Sequence, residues 1–103
     1  MCLAIPAKVI KIKGLTAIVD FGGGVKREVL VAANDVNEND YVMVHAGIIV
    51  AKVREEEVIN SLKVYKEVAV DLAIKNGLSK EEAEKTYDKI LRTIMQDLGV
   101  KID

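Results

Sequence analysis

The chain has 103 residues, half of them hydrophobic and 30% charged, with a formal net charge of −1. That is enough for one compact domain but little to bury a deep active site, and the apolar share excludes a disordered polymer. With only four aromatics (Phe21, Tyr41, Tyr65 and Tyr87) and no basic excess, nucleic-acid binding is disfavoured.

The absence of an apolar run approaching about 20 residues predicts no membrane span. The first residues lack a basic stretch, apolar run and cleavage site, so no signal peptide is expected. A cytoplasmic location follows, where the single cysteine, Cys2, stays a free thiol.

In chain order, residues 7–13 predict a first strand whose alternation slips at Val9-Ile10, as at a β-bulge. Residues 16–21 and 25–31 predict a hairpin around Gly22-Gly23-Gly24, with Val25, Val29 and Val31 on one face. A polar loop spans 34–39. Residues 41–45 and 48–53 predict a second hairpin through Ala46-Gly47. Five short strands fit an OB-like β-barrel over residues 1–53.

Helical periodicity begins after Arg54. Val58, Leu62, Tyr65, Ala69 and Leu72 form one stripe, and Asn76-Gly77 ends it. Ser79 with Glu82 starts a second helix as a capping box. Its stripe is Ala83, Tyr87, Ile90, Ile94 and Leu98, and Gly99 closes it. The short link predicts a helical hairpin over residues 54–103 that packs on the barrel or on a partner, the whole forming a single compact domain. Fold class is therefore mainly β with C-terminal α.

Cys2 carries the most chemical information. A lone cysteine is often an inert small hydrophobe, but burial is least expected near a terminus. Removal of Met1 would set its thiol beside an α-ammonium, and a neighbouring positive charge favours the thiolate that binds metals. Pro6 stiffens the backbone just beyond.

His45, the only histidine, shares a strand face with Tyr41 and Met43 just before a turn. It either satisfies a backbone carbonyl or joins Cys2 at one end of the barrel, a pairing suited to iron. Two ligands make half of a shared site rather than a closed one. Gly22-Gly23-Gly24 lacks the lysine and Ser/Thr of a phosphate loop and lies between strands, so it reads as a turn. Glu55-Glu56-Glu57 complements a helix dipole and reads as a solvated helix start.

Met1-Cys2-Leu3-Ala4-Ile5-Pro6 resembles the N-terminal signature of the hydrogenase maturation chaperones of the HypC/HupF family. Asp20-Phe21-Gly22-Gly23 followed by Lys26-Arg27-Glu28-Val29 resembles the family's glycine turn and basic strand. The stretch Asp40-Tyr41-Val42-Met43-Val44-His45-Ala46-Gly47 resembles its histidine segment. The resemblance covers roughly residues 1–70.

It implies a small barrel followed by a helix and a non-enzymatic role. Such proteins carry or help to build an Fe(CN)2CO unit with the HypD-type iron–sulfur scaffold, then accompany the [NiFe] hydrogenase large-subunit precursor. Cys2 and His45 match the family's cysteine and histidine and are expected to hold iron transiently. Cys2, Leu3, Ala4, Ile5 and Pro6 are expected to bind the partner, with no cofactor held permanently.

Three features depart from the pattern. Asn39 replaces a frequent glycine, Ile48 replaces a frequent aromatic, and the second helix is longer than in many members. Two other readings are a binding module of OB type, for protein or nucleic acid, and an N-terminal-cysteine amidotransferase. The latter usually has glycine after its cysteine, where this chain has Leu3, and needs an oxyanion hole on a larger scaffold.

Overall fold

A computed structural model describes residues 4–101. Five strands, β1 (Ile5–Lys13), β2 (Thr16–Gly22), β3 (Val25–Val31), β4 (Tyr41–His45) and β5 (Ile48–Val53), precede α1 (Glu55–Lys75) and α2 (Lys80–Leu98). The sheet closes as a barrel in the order β1-β2-β3-β5-β4, with β4 returning to β1. All pairings are antiparallel except β3 with β5, where Leu30 and Val31 face Ile48 and Ile49. The expected barrel and helical hairpin are both present.

β1 starts two residues earlier than the sequence suggests and takes in Pro6. Its first residues pair with β4 alone, because pairing with β2 begins at Lys8. A one-sided stretch is where a strand tolerates the missing N–H of proline. The expected bulge is real: Val9 faces Val19, but Lys11 faces Ile18, leaving Ile10 as the extra residue. Ala7 and Val9 therefore point inward before the bulge, and Ile12 packs on the core after it, so the slipped alternation still serves one interior.

That interior is aliphatic, built from Ala7, Val9, Ala17, Val19, Val29, Val42, Val44 and Ile49. Burying each larger member contributes about 1.5–3 kcal/mol. Val25 shares the phase of Val29 but is 42% exposed beside the glycine turn, where the barrel wall ends.

The helices form two further clusters. Val58, Leu62, Met95, Leu98 and Val100 join Tyr41 and Val53 at the junction with the barrel, while Val70, Ala73 and Ala83 close the distal end of the hairpin. One inward row steps by four residues, through Val58, Leu62 and Val70 on α1 and through Ala83, the half-buried Tyr87 and Leu91, and Met95 on α2, with Ala73 and Leu98 buried beside it. The stripes expected from alternating steps of three and four drift off this contact. Leu72 and Ile90 consequently stay 55% and 47% exposed, and Met95 takes the buried place instead.

Helix ends follow the sequence closely. Ser79 Oγ accepts from Glu82 N at 3.1 Å. Beyond α2, Gly99 is left-handed (φ 72°), Gly99 N donates to the Gln96 carbonyl and Val100 N to that of Met95. This is a Schellman closure with its apolar pair, Val100 and Met95, in one cluster. Glu55, expected to be only solvated, accepts a hydrogen bond from Lys101 N at 2.6 Å.

Candidate functional site

The candidate site is the barrel end where β1 begins and β4 turns into β5. Ile5 faces Val44 across the β1–β4 ladder, one residue before His45. Cys2 and Leu3 lie outside the described residues. Three residues of chain span at most about 11 Å, so Cys2 is tethered within that reach of Ile5.

His45 ends β4 opposite Ile48 and is exposed, on the outer strand face with Tyr41 and Met43, as expected. The turn after it has positive φ at both central residues, Ala46 (50°) and Gly47 (82°). That is the pattern of a type I′ hairpin, whose twist matches the strands it joins. Alanine is unusual in the left-handed region, so the surrounding ladder holds this turn in shape beside the imidazole. Among the described residues no three His, Cys, Asp or Glu side chains gather as a metal site.

Ala4, Ile5 and Pro6 lie within the described residues. Pro6 is fully buried in β1, so it anchors the stub more than it presents a surface. Ile5 is 48% exposed at the barrel mouth. The Ala4 carbonyl accepts a hydrogen bond from the Tyr65 hydroxyl of α1. This link was missed in the sequence, where Tyr65 reads as part of an apolar stripe; a hydroxyl on that stripe was the available signal.

The mouth itself is a cavity of about 360 Å³, walled by Ile5, Phe21, Val29 and Val44, with Arg27 and the Ala46-Gly47 turn on its lining. The glycine turn does more than reverse the chain. Asp20 Oδ1 accepts from Gly22 N at 2.8 Å, and Asp97 of α2 accepts from Gly23 N at 2.7 Å. A Cβ on Gly22 would stand 2.7 Å from Ile94 Cγ2. The turn is thus the seat of α2 on the barrel.

Among the described residues two titratable groups are shifted. Burial and then the Glu55 charge push the Tyr41 hydroxyl up from its ordinary value, and that hydroxyl donates to the Leu98 carbonyl at 2.9 Å. Hydrogen bonds from Arg92 and then Lys66 hold the Asp88 carboxyl below its ordinary value. Both support the helical hairpin and its seat.

Residues 1–65 match the HupF/HypC family. The hydrogenase maturation factor HypC of Helicobacter hepaticus is 40% identical over 70 residues, covering 66% of this chain and 81% of that protein. The HypC of Cupriavidus necator is 35% identical over 69 residues, covering 66% and 77%. The HypC of Synechocystis sp. is 39% identical over 62 residues, covering 54% and 82%. The family match takes in the whole barrel and the first half of α1, ends at Tyr65 and leaves α2 outside it. With most of its length matched, and with the barrel that the signature residues implied, this chain belongs to the HupF/HypC family.

Proposed function

We propose that this chain is a hydrogenase maturation chaperone that acts without turnover. With an iron–sulfur scaffold of the HypD type, it carries or helps to assemble the Fe(CN)2CO unit, then delivers it to the [NiFe] hydrogenase large-subunit precursor. The observation that carries this reading is the match over residues 1–65 to a family whose relatives are named hydrogenase maturation factors. The Ile5–Val44 pairing supports it, since it sets the strand end that leads to Cys2 beside the strand end that holds His45.

The Cys2 thiolate supplies a soft anionic ligand to iron, and the exposed imidazole of His45 a borderline one. Two protein donors leave coordination positions for cyanide, carbon monoxide and side chains of the partner. Such a site binds firmly in a complex and loosely alone, which suits cargo that must be handed on. Removal of Met1 would add the α-ammonium, which stabilises the thiolate.

The test is a tagged full-length chain expressed with the other maturation factors, followed by partner mass spectrometry, iron analysis and infrared spectroscopy. Iron with cyanide and carbonyl bands is expected in the complex and little in the chain alone. Cys2→Ser should fold normally, lose the iron and abolish hydrogenase maturation. Full iron retention or normal maturation by that variant would refute Cys2 as the carrier, and recovery of neither partner would refute the role.

A further inference from the structure

We infer that the apolar broad side of the helical hairpin is the surface on which a second copy of this chain docks, so that two hairpins close into a four-helix bundle. The inference is independent of the cargo reading above. Half of this face belongs to α2, which lies outside the family match.

Each helix buries one side against the other, and the two broad sides that remain differ in character. On the first, Lys63, Glu67, Asp71, Lys80 and Glu84 line a charged groove. Asp88 is paired there with Lys66 at 3.3 Å and with Arg92 at 3.0 Å. That side is finished for water. On the second, Leu62, Ala69, Tyr87, Ile90 and Ile94 line a groove of about 150 Å³ between the helices. Lys66 also borders it, but its ammonium is taken by Asp88.

Beside this groove, Val64, Val68 and Leu72 of α1 are each more than half exposed, and Ile90 of α2 is nearly so. Single exposed hydrophobics need no explanation, but a contiguous patch of them does. A layer of two helices with an apolar outer face is stable when a further layer covers it.

The shape of the face selects a second copy as the cover. Val64, Val68 and Leu72 follow one another at steps of four, which makes them a ridge of the kind that packs into grooves between side chains. The groove lies next to the ridge, and the small side chain of Ala69 keeps it open. A ridge and a groove on one face are self-complementary about a two-fold axis: each copy inserts its ridge into the groove of the other, and the contact closes. A single helix of another protein laid in the groove would leave Val64 and Val68 on its flank in water.

The area suffices. Helices of 21 and 19 residues are about 30 Å long, and two side by side are about 20 Å wide. A face of about 600 Å² per copy buries about 1,200 Å² in all, at the lower end of the range for specific interfaces. The dimer is therefore reversible, with a Kd of about micromolar order.

The experiment is sedimentation velocity of the full-length protein in reducing buffer from about 1 µM to about 500 µM, a range that brackets that Kd. Wild type should move from the mass of one chain to that of two. Val68→Glu and Leu72→Glu should each raise the Kd about thirtyfold or more, the loss expected at the centre of an interface. Circular dichroism and the thermal midpoint of dilute samples should match wild type, since both side chains are exposed in the single chain. Ile74→Glu is the control: Ile74 is exposed on the charged side, and this variant should dimerise normally. In a sample that mixes labelled and unlabelled chains, methyl NOEs should connect Val68 of one copy with Ile90 of the other.

Wild type that stays monomeric at the highest concentration would overturn the inference, as would normal dimerisation by Val68→Glu. A dimer lost in Ile74→Glu but kept in Leu72→Glu would place the contact on the other side and overturn it too. So would a dimer that forms only without reductant, which is a thiol linkage. If wild type is monomeric and the same glutamate substitutions cost binding to another maturation factor, the face serves a different protein and the second copy is excluded.

Discussion

Replacing Gly22 with alanine tests whether α2 is seated on the barrel by the glycine turn. Gly22 has φ +85°, and a methyl there would stand 2.7 Å from Ile94 Cγ2 and 3.1 Å from Ile94 Cα. The left-handed backbone alone costs alanine about 1–2 kcal/mol. The side-chain contact can be eased by rotation, but the contact with Cα is with the helix itself. Overpacking of that kind adds about 1–3 kcal/mol. The helix cannot back away freely, since Asp97 holds Gly23 N at 2.7 Å. Gly24 is the control: its φ is +83° and nothing lies within 4 Å of a Cβ placed there. Urea unfolding should therefore show Gly24→Ala losing only the backbone part, and Gly22→Ala losing about 1–3 kcal/mol more. Adding Ile94→Ala to Gly22→Ala should return part of that difference. Equal losses at the two glycines would refute the packing described at this turn.

Tyr65→Phe removes the donor to the Ala4 carbonyl. A hydrogen bond of this kind contributes about 0.5–1.5 kcal/mol, and less where exposed, so amide exchange at Ile5 and Ala7 should quicken about two- to tenfold with little change in global stability; unchanged exchange would show that the hydroxyl does not hold the stub. Tyr41 gives a pH prediction. Its hydroxyl is pushed up on folding, so the native state holds the proton more tightly than the unfolded one, and the resulting stability is present below the ordinary value of 10.0 and lost as pH rises through the raised one. Urea midpoints at about pH 8 and about pH 10.5 should fall further for wild type than for Tyr41→Phe, and parallel falls would refute the assignment.

Local signals in the sequence were reliable wherever one or two residues decide the backbone. The β1 bulge, the serine cap of α2, the glycine closures of both helices and the bounds of β3, β4 and β5 are of this kind. Each follows from alternation, a hydroxyl or a positive φ that needs no distant partner. The helix stripes were legible only in part because α1 carries apolar residues on more than one side. Val58 and Leu62 were read correctly, but the choice between Leu72 and Ala73, or between Ile90 and Leu91, depends on where the other helix lies. Packing in four-residue rows settles that choice, and no window within a single helix contains it.

The candidate site divides in the same way. Cys2 and His45 stand out because they are the sole members of their residue types, and the signature around them is contiguous. Arg27 stands out only after the barrel is closed. In the sequence, Lys26-Arg27-Glu28 belongs to the stretch that resembles the family's basic strand, and nothing local distinguishes the middle residue from its neighbours. Pairing with Val19 turns position 27 inward, and the end of the β1–β4 ladder at Ile5 leaves that inward position open to solvent. A valine at 27 would extend the hydrophobic interior towards the mouth by one more layer, as Val29 does in the layer below. An arginine there instead leaves the interior unfinished at the end where β1 begins and His45 closes β4.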